Sequence, residues 1–429
     1  MLELLTFALF IAAIVGSLVS SVSILFPLLF GYFLFVGYGV VKGHGVWNMV
    51  RMSFQGVRKV KNLLIVFGLI GIMTAMWRAS GVIPTIVYLA AQAIVPNSFL
   101  LIAFLLNCAV SVLTGTAFGT VATIGVICIN VGSMMGVDPL HTGGAIMSGI
   151  YFGDRCSPMS SVTILICDLT RTDIYRNIRG MAKTALWPLV AACAAYAVLG
   201  HAATAKTPMF GVLELFPKYF TMHWTVLLPA AAIIVMSLFR IGVKWTMTCS
   251  IAVCALLCVF VQGMAAGEIL WTMVYGFHSE SAELASLLNG GGIASMLRVA
   301  AIVCISSSYA GIFDNVGILD SVIATLQSLA RKTSPFIAVL ITSIVTGMVV
   351  CNQTLTVMLS YQLGRGLFPD SEKLALSLED TAVVIPPLIP WSIAAAVPLE
   401  AISAPAGCLL FAFFLYFIPL WNALRSLRA

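Results

Sequence analysis

Long apolar blocks separated by short polar clusters dominate the chain. Uninterrupted runs cover about 4–20, 22–41, 62–77, 98–113, 184–200, 224–239, 245–262, 335–350 and 406–421. Runs of this length suit helices that cross roughly 30 Å of hydrocarbon. Further runs, at about 80–95, 115–133, 139–151, 266–277, 293–312, 318–330 and 382–397, are broken by Gly, Pro or polar residues. Backbone groups freed by such breaks find no water in lipid, so broken helices belong where they are buried in protein or line a cavity. The pattern predicts an all-α polytopic membrane protein of about 11–13 membrane elements, some crossing fully and others re-entrant.

Two of the interrupted stretches, one in each half, carry acidic residues beside proline. The first reads Gly153-Asp154-Arg155-Cys156-Ser157-Pro158-Met159-Ser160-Ser161. The second reads Leu378-Glu379-Asp380-Thr381 and then Ile385-Pro386-Pro387-Leu388-Ile389-Pro390-Trp391-Ser392. Such residues are poor choices for a simple span and suit discontinuous helices around a midplane site, the plan of secondary transporters.

Composition agrees with the pattern and narrows it. Hydrophobic residues make up 61% of 429 and charged residues 9%, and the mean hydropathy is +1.06. Too little charge remains to solvate a soluble surface of that size. The net charge of +6 is small for the length and does not call for nucleic acid. Most of the eleven cysteines lie in apolar runs without ligand spacing and read as small packing residues, so no transition-metal site or disulfide framework is expected. Met1-Leu2-Glu3 lacks the basic start of a cleavable signal peptide. No Gly-x-x-x-x-Gly-Lys-Ser/Thr loop is present, which argues against an ATP-driven pump, and no catalytic set argues for an enzyme. The five histidines fall at element ends and read as interfacial.

Internal similarity organises the chain into halves. Residues 76–83 can be laid on 312–319, and Val112-Leu113-Thr114-Gly115-Thr116-Ala117 on Ile344-Val345-Thr346-Gly347-Met348-Val349, with the acidic-proline segments following in the same order. Loop charges then suggest opposite orientations. The leading loop 42–61 is basic while its counterpart 278–292 carries Glu280 and Glu283; 171–183 is basic while 398–405 carries only Glu400; the turn near 91–97 is uncharged while its counterpart holds Arg331 and Lys332. This alternation is expected of inverted-topology repeats. The predicted organisation is 1–61 as peripheral helices and a basic cytoplasmic loop, and 62–183 as the first core repeat. Residues 184–292 follow as peripheral or scaffold helices with a linker, then 293–405 as the second core repeat and 406–429 as a C-terminal helix with a basic tail. Basic clusters at 42–61 and 171–183, at Arg240 and Lys244, and at Arg425 and Arg428 put those segments, the C-terminus among them, on the cytoplasmic side.

Charged and polar residues inside this frame are the candidates for chemistry, because each is costly at membrane depth. Asp154 reads either as a carboxylate that binds a cation or proton, or as a helix cap beside proline. Glu379 and Asp380 are adjacent, so a helix would turn them about 100° apart and aim only one at a cavity. Arg155 and Arg78 read as contacts for an anionic substrate, as partners of carboxylates, or as interfacial residues. Asp314, which matches Arg78 across the halves, makes those two a candidate gating pair. Thr114, Thr116, Ser157, Ser160, Ser161, Thr163, Asn352 and Thr354 offer hard oxygen donors of the kind Na+ needs, and equally suit helix packing.

The stretch 149–161, Gly-Ile-Tyr-Phe-Gly-Asp-Arg-Cys-Ser-Pro-Met-Ser-Ser, resembles the signature of the NhaC family of Na+/H+ antiporters, as do 77–84, 104–125, 173–181, 288–296, 376–380 and 385–392. The resemblance runs from about residue 60 to 405. It implies the ion-transporter-superfamily fold with inverted repeats, often as a homodimer, in the bacterial inner membrane. It also implies coupling to Na+ or H+ without any other cofactor, and carries Asp154, Ser157, Pro158, Glu379 and Asp380 over as site positions. One departure stands out. After Ser-Pro-x-Ser the family usually continues Asp-Thr-Thr-Asn, where this chain has Ser161-Val162-Thr163-Ile164. Two readings therefore stay open: a cation/proton antiporter working by alternating access, and a Na+- or H+-coupled carrier of an amino acid or small carboxylate such as malate or lactate.

Overall fold

The computed structural model describes residues 2–20, 23, 25–93, 96–202, 216–239, 241–281, 284–285, 288–316 and 334–428. The predicted span at 318–330, the Arg331–Lys332 turn, Arg240, Glu283 and the side chain of Asp314 lie outside the described residues. The protein is an all-α polytopic membrane protein. Among the described residues there is no strand, only an isolated bridge between Phe277 and Gly290. Among the described residues, five helical stretches are long and apolar enough to cross a membrane: Lys61–Ala79, Asn97–Thr114, Ala117–Met134, Ile174–His201 and Ile293–Phe313.

In chain order the first half contains α1 (Leu2–Val19), α2 (Leu25–Val41), α3 (Val46–Lys59), α4 (Lys61–Ala79), α5 (Val82–Ala93), α6 (Pro96–Thr114), α7 (Ala117–Thr120), α8 (Val126–Met134), α9 (Pro139–Cys156), α10 (Ser161–Thr170) and α11 (Ile174–Ala202). A π-helical turn, Val121–Gly125, joins α7 to α8. Then follow α12 (Leu228–Leu238), α13 (Val243–Phe260), α14 (Ala266–Tyr275), α15 (Leu297–Val316), α16 (Pro335–Val350), α17 (Gln353–Gly364), α18 (Ser371–Glu379), α19 (Ile393–Ala401) and α20 (Phe413–Arg428).

Some predicted boundaries move. The leading basic segment is mostly helix: α3 buries Met49, Ser53 and Gly56 and exposes Trp47, Arg51, Phe54 and Arg58. Its apolar and basic residues alternate with helical period, so their average hydropathy hides an amphipathic helix that packs on α15. The basic stretch 171–183 likewise opens α11, which starts at Ile174. The last apolar run is a 3-10 turn, Ala406–Phe411, followed by α20.

Each half contains the same pair of interruptions. Gly115, at φ +65°, separates α6 from α7, and Cys351, at φ +58°, separates α16 from α17. Both restarts are capped: the Thr116 side chain accepts from the Gly119 N–H, and that of Asn352 accepts from the Leu355 N–H at 3.2 Å. The second break falls one helical turn beyond Gly347, the residue whose sequence pairs with Gly115; Gly347 itself continues α16. Residues 157–160 then separate α9 from α10, and residues 380–392 separate α18 from α19. The longer break folds back on the shorter one of its own half, with the Ile393 N–H donating to the Cys351 carbonyl at 2.9 Å and Trp391 Nε1 to the Met348 carbonyl at 2.8 Å.

Candidate functional site

The first acidic segment is the frayed C-terminal end of α9. Pro158 cannot supply an N–H, and Ser157 takes an extended conformation that ends the helix. Ser160 caps α10, its hydroxyl accepting from the N–H groups of Val162 and Thr163 at 3.2 and 3.4 Å. Thr163 donates back to the Arg155 carbonyl at 3.0 Å, and Ser157 donates to the Val112 carbonyl at 2.7 Å. These bonds satisfy backbone groups that the break releases. Close approach matters too: a Cβ at Gly153 would run into the backbone of Ser111 and Val112, so only glycine lets α9 lie this tightly on α6.

Asp154 is buried at this break. One of its oxygens accepts from the Ser160 hydroxyl at 3.3 Å; the other accepts from the Gln353 amide at 3.4 Å. The Ala117 N–H, at the start of α7, is directed at the same carboxylate. Three helix starts, those of α7, α10 and α17, therefore surround it, an arrangement that favours negative charge.

Arg155 is fully buried and turned away from Asp154. Its guanidinium forms an ion pair with Asp380, with Nε 3.1 Å from the carboxylate. Further bonds reach the Thr184 hydroxyl at 2.7 Å and the Met181 carbonyl at 3.3 Å. Arg155 thus ties α9 to α11 and α18 and neutralises Asp380.

Glu379 and Asp380 separate because α18 ends between them. Glu379 is its last residue and Asp380 its cap. Glu379 is fully buried, yet neither of its carboxylate oxygens accepts a hydrogen bond. Thr163 is beside it, but the Thr163 hydroxyl is spent on the Arg155 and Asp154 carbonyls. Arg155, Asp380 and Asp154 are its charged neighbours. The cluster thus holds three buried carboxylates against one guanidinium.

A cavity of about 580 Å³ lies alongside, lined among others by Asn352, Gln353 and Thr354 of the second-half break, Phe118 and Asn62. Among the described residues no charged side chain lines it. Gln353, which lines it and also touches Asp154, is the connecting residue.

Other predicted site residues fall elsewhere. Thr114 bonds to Thr120 at 2.8 Å and, with Thr116, shapes the α6–α7 break. Of the three positions that depart from the family pattern, Ser161 and Ile164 lie on the exposed face of α10, whereas Val162 is buried with Thr163 and Ile166. Arg78 donates to the carbonyls of Asn289 at 2.6 Å and Leu288 at 3.3 Å, anchoring the loop before α15. Among the described residues no group of His, Cys, Asp and Glu has metal-site geometry, and all eleven cysteines are free.

Helices broken in pairs around buried carboxylates define a multi-pass membrane protein built to handle a small charged species. Residues 149–423 match the Na+/H+ antiporter family, and the chain belongs to that family, in line with the NhaC resemblance. It is 26% identical over 439 residues to the Na+/H+ antiporter NhaC of Alkalihalophilus pseudofirmus, covering 99% of this chain and 92% of the relative. It is 27% identical to the Bacillus subtilis Na+/H+ antiporter NhaC, covering 88% and 86%. To the malate-2H+/Na+-lactate antiporter of Bacillus subtilis it is 25% identical, covering 84% and 80%.

Proposed function

We propose that the chain exchanges Na+ for H+ by alternating access, with Asp154 and Glu379 as the carboxylates that take cation and proton in turn. One observation carries the reading. Among the described residues, Glu379 is buried with both oxygens free of hydrogen bonds, while the guanidinium beside it, that of Arg155, is committed to Asp380. An uncompensated charge in that position costs several kcal/mol, so the site demands a proton or a metal cation. Asp154, held through long bonds from a hydroxyl and an amide and by the Ala117 N–H, supplies the second exchangeable oxygen pair. Asp380 and Arg155 serve as a static pair.

The paired breaks support 62–183 and 293–405 as repeats of inverted topology, around a site near the membrane midplane. The basic face of α3, together with Lys61 and the Lys244–Asn62 contact at 2.8 Å, supports a cytoplasmic mouth for the cavity and a cytoplasmic C-terminus in the inner membrane. Helices outside the repeats serve as scaffold and as the contact of a homodimer.

A second reading has its own observation: the cavity is larger than a bare ion needs, and one relative's name includes malate and lactate. An organic anion would, however, meet no cationic side chain among the described residues of the cavity wall. Everted vesicles holding an imposed pH gradient separate the two. Dissipation on adding NaCl alone is expected; a response that needs malate, lactate or an amino acid as well would establish the second reading instead.

A further inference from the structure

Gln353 occupies an unusual place. It is the first residue of α17, lines the cavity, and reaches across from the second-half break to the carboxylate of the first. Its amide nitrogen lies 3.4 Å from Asp154 Oδ2 and 2.8 Å from the Val383 carbonyl oxygen. A carbonyl and an ionised carboxylate only accept, so the nitrogen end of the amide must face them. The nitrogen therefore fills a point bounded by two hard oxygen donors, on the cavity side of Asp154.

We infer that the Gln353 carboxamide is an exchangeable stand-in for the transported cation: its NH2 end occupies the site in the empty carrier, and its carbonyl end becomes a ligand when the cation enters. The inference rests on the Na+/H+ reading above and names a gating ligand for it. The geometry requires little motion. A half-turn about the terminal Cγ–Cδ torsion, which has broad and shallow minima, withdraws both donors and presents Oε1. Because the half-turn alone would set Oε1 where the nitrogen was, the side chain also draws back into the cavity it lines, leaving Oε1, Val383 O and Asp154 Oδ2 to face the point that the nitrogen held. Among side chains of this shape only an amide can both donate to an empty carboxylate and accept a cation. The swap also closes the site electrostatically when no cation is present, because the amide supplies a donor to Asp154 Oδ2.

The test measures NaCl-driven proton efflux in proteoliposomes for the parent, Gln353→Leu and Gln353→Glu, with NaCl against choline chloride in thermal unfolding as the binding readout. Gln353→Leu removes ligand and plug; the KM for Na+ should rise about tenfold or more, and stabilisation by NaCl should disappear. Gln353→Glu keeps an oxygen ligand but cannot donate. Its KM should not rise, whereas kcat should fall about tenfold because the empty carrier holds two facing carboxylates. A merely structural glutamine would move both variants alike. Unchanged KM in Gln353→Leu, or identical losses in the two variants, overturns the inference while leaving the exchange reading intact. A parent that does not respond to NaCl overturns both.

Discussion

The two breaks that bear carboxylates hold the same chemical group under opposite conditions. At residues 157–160 the break is short, and Asp154 is met by a hydroxyl, an amide and a helix start. At residues 380–392 the break is long and rich in proline, and its two carboxylates part company. Asp380 caps α18 and is locked to Arg155, while Glu379, one residue earlier, is buried without a hydrogen bond. A satisfied carboxylate holds structure together; an unsatisfied one retains its affinity for a proton or cation. On the proposed exchange reading, the asymmetry gives cohesion to Asp380 and exchange to Glu379, although they are neighbours in sequence.

Removing the guanidinium should test this division most severely. Arg155→Ala would strand the Asp380 charge in the interior, with an expected loss of about 3–5 kcal/mol, read by thermal unfolding and by the yield of monodisperse protein. Arg155→Met combined with Asp380→Leu should recover most of it. If Arg155→Ala is as stable as the parent, the pair is not what holds the second break to α9.

Glu379→Gln should do the opposite: leave the unfolding temperature near that of the parent while lowering NaCl-driven proton efflux about a hundredfold or more. Efflux within twofold of the parent would hand the exchange role to Asp154 alone. A smaller effect is expected from Ser160→Ala, which removes the cap of α10 and a donor to Asp154. About 1 kcal/mol of stability should be lost, with a rise in the KM for Na+. No change in KM would make Ser160 a cap and nothing more.

The smallest effect sharpens the comparison by contrast. Arg176 and Glu372 link α11 to α18 at 3.3 Å, as the Arg155 network also does, but their side chains are 72% and 48% exposed. Arg176→Ala should change stability by no more than about 0.5 kcal/mol and leave transport alone, so the weight of an ion pair here follows from burial.

Much of this was legible in the chain. Apolar run length marks a span because hydrocarbon thickness is fixed, and Pro158, Pro386, Pro387 and Pro390 mark breaks because they withhold an N–H. The resemblance of 149–161 to an antiporter signature also survives comparison with whole relatives. What was missed is equally physical. The α3 helix escaped because its two faces average to a polar-looking loop. The bonds of Arg78 to the carbonyls of Leu288 and Asn289 are contacts that no spacing announces. The missing Asp and Asn after Ser160 looked grave for a cation site, yet Ser161 and Ile164 sit on the outer face of α10.

By itself, the sequence determined that the chain lives in a membrane, that some of its apolar runs are interrupted, and that acidic residues stand at one interruption in each half. These are local properties: hydropathy over one span, a missing N–H, a charge inside an apolar run. Tertiary structure alone decided that Arg155 belongs to Asp380, that Gln353 reaches Asp154, and that Glu379 is the carboxylate left bare. Each of those facts joins residues about two hundred positions apart, and the free energy of a buried charge depends on what is brought beside it.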